Sequence, residues 1–129
     1  MASSDFDSKR FAKDWESAWN SHDIDAIISH YTDDVIFQST KALAFTGSSK
    51  VVGKCALKSY WQKALDKQKE LKFQVLEVLD GADMLVLIYS NQNDVLAAET
   101  LYFDDNKMIY QASACHKTPK GGISTLEDE

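Results

Sequence analysis

The sequence predicts an α+β domain in which three helices from the N-terminal half cover one face of a curved, antiparallel, cone-shaped sheet. Apolar residues recur at helical spacing in three segments of the first half of the chain. From Leu71 onward the spacing changes to a period of two, and short turn sequences separate four such segments. We expect one domain at 8–117, between a flexible N-terminal segment, 1–7, and a mobile acidic tail, 118–129.

The composition restricts the class of protein. A chain of 129 residues suits one domain, and its 44% hydrophobic residues can form a sizeable core. The 20 acidic residues outnumber the 14 basic ones, so we expect no nucleic-acid partner. There is no run of about 18 apolar residues and no signal-peptide pattern at the start, which predicts a cytoplasmic protein without membrane contact.

The sequence offers no cofactor or metal motif. Cys55 and Cys115 are interpreted as free thiols, because two cysteines make neither a disulfide framework nor a four-ligand metal site. The acidic pair Asp33 and Asp34 follows a helical segment and precedes a strand, where capping and turn residues are expected. No glycine-rich phosphate loop is present. We therefore expect no metal ion and no cofactor.

Three segments have the spacing of amphipathic helices. The first runs from about Asp5 to Asn20, and a shorter second one begins after Asp23, its expected N-cap. The third follows Gly53 and has a broad apolar face. Their apolar positions are Phe11, Ala12, Trp15, Ala18 and Trp19 in the first; Ile24, Ile27, Ile28 and Tyr31 in the second; and Ala56, Leu57, Tyr60, Trp61, Ala64 and Leu65 in the third.

Five segments have the β-branched, aromatic or alternating composition of strands. They are residues 35–39, 71–79, 84–90, 95–103 and 108–116. Between the first of these and the third helix we expect a loop, 40–53, with Val51 and Val52 in a short ribbon. A curved sheet of this kind can wrap into a cone, and a small ligand would sit at its open end.

Several stretches of the chain resemble the nuclear transport factor 2-like (cystatin-like) superfamily, which includes ketosteroid isomerase and the SnoaL-like polyketide cyclases. The resemblance covers roughly residues 8–116 and implies a cone-shaped α+β barrel, commonly dimeric through its sheet, with a pocket in the cone. The stretches that carry it are WNSHDIDAI at 19–27, YTDDVIF at 31–37, Gly53 with the helix at 57–65, ETLYFD at 99–104 and KMI at 107–109.

The resemblance also indicates which residues to test for catalysis. Ketosteroid isomerase uses a carboxylate base on the first strand, a tyrosine on the first helix and an acid on a later strand. These positions fall at about Ser39, Trp15 and Glu99. Ser39 cannot remove a carbon-bound proton unaided, and Trp15 is a weaker hydrogen-bond donor than a phenol. Glu99 is therefore the single candidate catalytic residue, and its other interpretations are a solvent-facing strand residue or one bonded to a backbone amide.

The register implied by the family predicts which residues of the last strand face the pocket. It puts Gln111, Ser113 and Cys115 inside and leaves Tyr110, Ala112 and Ala114 on the outer face, against a second subunit. The full predicted ligand-binding set is Trp15, Phe37, Ser39, Glu99, Gln111, Ser113 and Cys115.

We expect a homodimeric domain that binds a small, mostly apolar molecule in its cone. One alternative is a cofactor-independent SnoaL-like isomerase, cyclase or dehydratase with Glu99 as its acid-base residue. Another is a protein-interaction module, as the transport factor itself exemplifies. A dry, open pocket around Glu99 favours the enzyme, whereas a filled cone favours interaction.

Overall fold

A computed structural model describes residues 6–118 and confirms the α+β class, with a six-stranded, curved, unclosed sheet and four helices. The predictions for residues 1–5 and 119–129 lie outside the described residues. In chain order the elements are α1 (Ser8–Ser21), α2 (Ile24–Ile28), β1 (Tyr31–Gln38), α3 (Thr40–Thr46), β2 (Lys50–Val52), α4 (Lys54–Lys67), β3 (Gln74–Gly81), β4 (Met84–Ser90), β5 (Leu96–Phe103) and β6 (Ile109–His116).

Helix α1 forms close to its predicted bounds, but α2 ends at Ile28. Tyr31, predicted in the second helix, and Asp33 and Asp34, predicted as capping and turn residues, lie in β1.

An aspartate N-cap begins each of these two helices. Asp7 caps α1 by accepting a hydrogen bond from the Arg10 amide, and the helix ends at His22 in the left-handed conformation. Asp23 is confirmed as the N-cap of α2, where its carboxylate accepts from the amides of Asp25 and Ala26. The sharp turn between the helices lets both bury their apolar faces against the sheet.

Residues 40–53 are not simply a loop, because they contain the short helix α3. The hydroxyl of Ser39 caps it by accepting from the Lys41 amide at 3.2 Å, and Gly47 ends it at a φ of 82°. The three predicted helices are present, and α3 is a fourth that the sequence did not predict. Ala42 is the one buried residue of α3, so no apolar stripe marks this helix in the sequence. The expected ribbon at Val51 and Val52 is confirmed as part of β2.

The six strands follow the order β2-β1-β6-β5-β4-β3. All neighbouring pairs are antiparallel except β1 and β6, which run parallel. Helix α1 packs on β3 and α4 packs on β1 and β2, so helices cover the concave face of the sheet near both of its edges. The core between these layers includes Trp15, Val35, Leu57, Leu87 and Leu101, each 2% exposed or less. No helix within residues 6–118 is long and apolar enough to cross a membrane.

A bulge in β6 changes which side chains of that strand face the core. Phe103 pairs with Ile109, but Tyr102 pairs with Gln111, so one extra residue of β6 is accommodated beside Tyr110. Ile109 and Ala112 both face the core, with exposed fractions of 0% and 1%. After the bulge every side chain changes face relative to strict alternation.

From Gln111 onward, therefore, the residues predicted to face inward and those predicted to face outward are exchanged. Gln111 and Cys115 are exposed and Ser113 is partly exposed on the convex face. Ala112 is buried and Ala114 packs against the core, so neither can form the outer surface expected for them. Of the predicted outer set, Tyr110 is exposed.

Replacement of Ala112 by Arg tests this orientation. The variant should lose about 3–5 kcal/mol of unfolding free energy, because it forces an unpaired charge into the core. Gln111→Arg, one residue earlier and exposed, should change stability by at most about 0.5 kcal/mol. Urea unfolding measures the stability of both variants. If Gln111→Arg folds and Ala112→Arg does not, the loss of stability at Ala112 is larger still and supports its buried position. Small, equal effects would contradict the bulge.

Candidate functional site

A cavity of about 60 Å³ lies on the concave face of the sheet, between the end of α1, α3, α4 and strands β1, β4, β5 and β6. Six aromatic side chains form most of its wall: Trp19, Phe37, Tyr60, Trp61, Phe73 and Tyr89. Its partly exposed polar residues, which we call the mouth, are Lys41, Gln68, Asn91 and His116. The cavity is therefore apolar inside and polar at its entrance.

Glu99 is the acid in the wall of this cavity. It lies on β5 between Leu87 of β4 and Ala114 of β6, and alternation along β5 turns its side chain inward. The side chain is only 4% exposed, and the Tyr89 hydroxyl donates a hydrogen bond to its Oε1 at 3.2 Å. The structure thus excludes a solvent-facing Glu99 and places its carboxyl group among aromatic rings.

Burial shifts the proton affinity of this carboxyl group. Removal from water disfavours the charged form and raises the pKa of Glu99 from an ordinary value of 4.5 to about 7, although the Tyr89 hydrogen bond and the charge of Lys41 act in the opposite direction. Near pH 7, therefore, Glu99 is protonated in about half of the protein molecules and ionised in the others.

Three phenols surround Glu99 and remain neutral. Burial raises the pKa of Tyr31, Tyr60 and Tyr89, and the charge of Glu99 raises it further in each case. They lie on β1, α4 and β4, so three separate elements bring hydroxyl groups toward the acid. The phenols can donate or accept hydrogen bonds without adding charge.

Two polar atoms in the cavity lack a hydrogen-bond partner among the described residues. They are the indole Nε1 of Trp19 and the Nδ1 of His116, both buried. Burial, and then the charge of Lys41, lowers the pKa of His116 to about 4, so its ring is neutral near pH 7. An unmet buried polar atom costs about 1–3 kcal/mol, and a bound molecule or water could satisfy both.

The structure brings together some of the predicted pocket residues and separates others. Phe37, Ser39 and Glu99 line the cavity as predicted. Trp15 is instead buried in the core, stacked on Phe73 at 5.5 Å, in the layer behind the cavity wall. The remaining three, Gln111, Ser113 and Cys115, lie on the convex face because of the bulge. Their assignment to the pocket is corrected.

Sequence reasoning missed most of the wall and mouth. Trp19, Tyr60 and Trp61 stand at apolar helix positions that predict packing, yet they face both the core and the cavity. Their helical stripes indicate burial but not whether a void lies beside them. Lys41 and His116 could have been found only from the short helix α3 and from the bulge, because these features set their direction.

Within residues 6–118 no group of three His, Cys, Asp or Glu side chains could hold a metal ion. Among residues 6–118, Glu99 is the single carboxylate of the cavity wall, and the other polar groups there are phenols, a serine, amides, one imidazole, indoles and the ammonium group of Lys41. Such a set suits hydrogen bonding to a small organic molecule better than cation coordination.

The cone-shaped α+β architecture with a cavity on its concave face defines a nuclear transport factor 2-like domain. Within this superfamily the chain belongs to the SnoaL-like domain family, whose model matches residues 12–108. No curated protein matches the sequence.

Solved structures agree with this assignment. A SnoaL-like protein of unknown function from Burkholderia thailandensis E264 is 31% identical, with 86% of this chain and 95% of that chain covered and a TM-score of 0.81. A putative SnoaL-like polyketide cyclase from Shewanella denitrificans OS-217 is 16% identical, with 85% and 90% covered and a TM-score of 0.64. TerC, crystallised with polyporic acid, is 11% identical, with 85% and 91% covered and a TM-score of 0.70. The last two show likeness of fold alone.

The raised pKa of Glu99 predicts a specific dependence of stability on pH. Because the folded state holds the Glu99 proton more tightly, its contribution is complete below pH 4.5, falls as the pH rises to about 7 and is constant above. The loss should be roughly 3 kcal/mol. His116 acts oppositely between about pH 4 and 6.5, since its pKa is lowered.

The difference between wild type and Glu99→Gln, measured by urea unfolding at each pH, cancels the His116 contribution. The wild type should lose roughly 3 kcal/mol relative to the variant between pH 4 and pH 8. Glu77→Gln, which removes an exposed carboxylate from β3, is the matched control. A difference that does not change with pH would mean that Glu99 titrates as it does in water.

Proposed function

We propose that this domain binds a small, mostly apolar molecule with an oxygen function, and that Glu99 is the group that contacts this oxygen. The observation that supports the proposal most strongly is a buried acid in an aromatic cavity that is also lined by Trp19, whose indole N–H has no partner within the described part of the chain. Aromatic walls favour an apolar body, and a few convergent polar groups fix its orientation.

The size of the cavity limits the ligand. A volume of about 60 Å³ is well below the ~300–1,000 Å³ of sites for drug-sized ligands. A molecule with a ring or a short branched chain can enter only if side chains at the mouth move. Lys41, Gln68 and His116 are partly exposed, so their displacement requires no opening of the core.

Acid-base catalysis is the second candidate, and the position of the Glu99 pKa near 7 favours it. An acid that is half ionised at neutral pH can both donate and accept a proton, as a cofactor-independent isomerase, cyclase or dehydratase requires. Tyr89 can stabilise the ionised form through its hydrogen bond at 3.2 Å. The likeness to a putative polyketide cyclase is consistent with this candidate but, at 16% identity, carries fold alone.

Cyclohexanone, a small apolar ring with one carbonyl group, tests the proposed function. Protonated Glu99 should donate a hydrogen bond to the carbonyl, so binding should be about fivefold tighter at pH 6 than at pH 8.5, the effect of a net hydrogen bond of about 1 kcal/mol. Glu99→Gln should bind at both pH values alike, because its amide donates regardless of pH. Backbone NMR shifts of Phe37, Tyr60 and Tyr89 measure binding.

Glu77→Gln is again the control and should keep the pH dependence of the wild type. His116 stays neutral over this range because its pKa is about 4. A titration that shifts no residue of the cavity would contradict the proposed function. Binding without pH dependence would leave the cavity as the site but remove Glu99 as the contact. If a substrate is found, and Glu99→Gln still binds it but no longer converts it, this result would favour acid-base catalysis by Glu99.

We further propose that two copies of the chain pair through the convex face of the sheet. Alternation along β4 and β5 leaves apolar side chains such as Val86, Ile88, Ala98 and Tyr102 on this face, and none of the four helices described in residues 6–118 packs there. Leu96, Ile36 and Tyr110 extend it, with exposed fractions of 39%, 39% and 43%. Exposed apolar area of this kind is typical of a subunit interface.

Thr100→Arg tests the pairing. Thr100 lies near the middle of the convex face, opposite Val86 and Ser113, so an arginine there should put two unpaired charges into a symmetric interface and yield monomers. Thr100→Ser should remain dimeric. Sedimentation velocity measures both, and a wild-type protein that is monomeric at micromolar concentration would contradict the proposal.

A further inference from the structure

His116 and Glu99 stand on neighbouring strands and on the same face of the sheet. Glu99 of β5 pairs with Ala114 of β6, and Ala97 pairs with His116, so the two residues are diagonal neighbours across the strands. Residues in this relation have Cα atoms about 7–8 Å apart. Both side chains line the cavity. The carboxyl group and the imidazole therefore lie on two sides of one small space.

One ring nitrogen of His116 has no contact within the described part of the chain. Its Nδ1 is buried and lacks a hydrogen-bond partner among residues 6–118. Glu99 does not supply one, because its hydrogen bond runs to Tyr89 at 3.2 Å. A buried polar atom is unfavourable until a bound molecule or a water completes its hydrogen bond. The unpaired Nδ1 thus indicates a contact with a molecule in the cavity.

The surroundings of the two groups give them different roles near neutral pH. Burial lowers the pKa of His116 to about 4, so the ring is neutral, and in the tautomer with its proton on Nδ1 it donates a hydrogen bond without carrying charge. Burial raises the pKa of Glu99 to about 7, which makes its carboxylate a stronger base than that of an exposed glutamate. A carboxylate base beside a neutral imidazole donor is suited to removing a proton next to a carbonyl group.

The other titratable groups around Glu99 modify its proton affinity without taking over its role. Lys41 of α3 carries a charge that lowers the pKa of both Glu99 and His116. Three phenols are neutral because burial raises their pKa values, and they belong to Tyr31 on β1, Tyr60 on α4 and Tyr89 on β4. Within residues 6–118, Glu99 is therefore the one carboxylate base of this cavity.

We propose that the cavity removes a proton from the carbon next to the carbonyl group of a small ketone, with the Glu99 carboxylate as the base and the Nδ1–H of His116 as the donor to the carbonyl oxygen. The inference rests on the proposed function, because it uses the same cavity and the same class of ligand. It adds His116 as a second catalytic residue. It concerns the ionised form of Glu99, whereas the protonated form donates to the oxygen itself.

The step needs no cofactor and no co-reactant. The C–H bond breaks and its proton passes to the Glu99 carboxylate, while its electron pair forms a C=C bond to the carbonyl carbon and the π pair of the carbonyl group moves onto the oxygen. The hydrogen bond from Nδ1, which keeps its proton, stabilises the negative charge that develops on this oxygen. Return of a proton from Glu99 to the same carbon restores the ketone. In D2O the carboxyl group exchanges its proton with the solvent, so the ketone acquires deuterium.

Deuterium uptake by cyclohexanone in D2O, followed by the proton NMR signal next to the carbonyl group, measures this step. After subtraction of the exchange without protein, kcat/KM should rise about tenfold between pH 6 and pH 8, because the ionised fraction of Glu99 rises by that factor around a pKa of about 7. Glu99→Gln should lower the rate at pH 8 about a hundredfold. Glu77→Gln, exposed on β3, should not change it. Each variant keeps all lysines, so exchange through amine adducts is the same in all of them.

Replacements of His116 test the hydrogen-bond donor separately. His116→Leu is similar in size and has no donor, so it should lower the rate about a hundredfold. His116→Asn places an amide N–H close to the position of Nδ1, so its rate should stay within about tenfold of the wild type. If His116→Leu does not fold, His116→Gln replaces it, because its amide reaches the position of Nε2 and leaves that of Nδ1 without a donor.

The outcomes distinguish this inference from the proposed function. If cyclohexanone shifts the NMR signals of cavity residues but gains deuterium no faster with the wild type than with Glu99→Gln, the inference is wrong and the binding site remains. Equal rates in the wild type and His116→Leu, or an equal loss in His116→Leu and His116→Asn, would overturn the assignment of His116. If cyclohexanone neither shifts a cavity residue nor gains deuterium, both proposals are wrong.

Discussion

A carboxyl group buried among aromatic rings requires a proton or a cation to neutralise its charge. Glu99 has both in part, because Lys41 acts on it and it is partly protonated near neutral pH. The hydrogen bond from Tyr89, at 3.2 Å, and the charge of Lys41 are too weak to cancel the desolvation of the ionised form. Its pKa consequently rises to about 7. Ionisation of Glu99 lowers the stability of the folded protein above neutral pH. Acids with raised pKa values are enriched at functional sites, and this is one basis of the proposed binding role of Glu99.

The aromatic side chains decide where this acid can act. Trp15, Phe73 and Tyr89 pack against one another with ring centres 4.8–5.5 Å apart, and they close the cone behind the cavity. Trp19, Trp61 and Phe37 line the space that remains. The indole N–H of Trp19 has no hydrogen-bond partner among residues 6–118, so the wall offers a donor as well as an apolar surface.

Local sequence signals predicted the parts of the molecule that depend on local physics. Asp23 is the N-cap that its sequence context predicts, and the inward direction of Glu99 follows from unbroken alternation along β5. Which side chains of β6 face inward could not be predicted from the sequence. The bulge beside Tyr110 is set by pairing with β5, and no glycine marks it. One extra residue was enough to exchange Cys115 for His116 at the mouth.

The choice between Trp15 and Trp19 shows a second limit. Both lie on the apolar stripe of α1 and both are at least 95% buried, so their spacing in the sequence is the same signal. Only the position of Phe73 and Tyr89 in front of Trp15 separates core from cavity wall. Long-range packing of this kind leaves no trace in a single helix.

The proposed role of Glu99 depends most directly on its protonation in the folded protein. Carbon-13 NMR of glutamate side-chain carboxyl groups, with Glu99→Gln to assign the signal, measures this protonation without a ligand. We expect a titration midpoint near pH 7 for Glu99. A midpoint close to the ordinary value of 4.5 would contradict it, because the carboxyl group would then be solvated or fully paired.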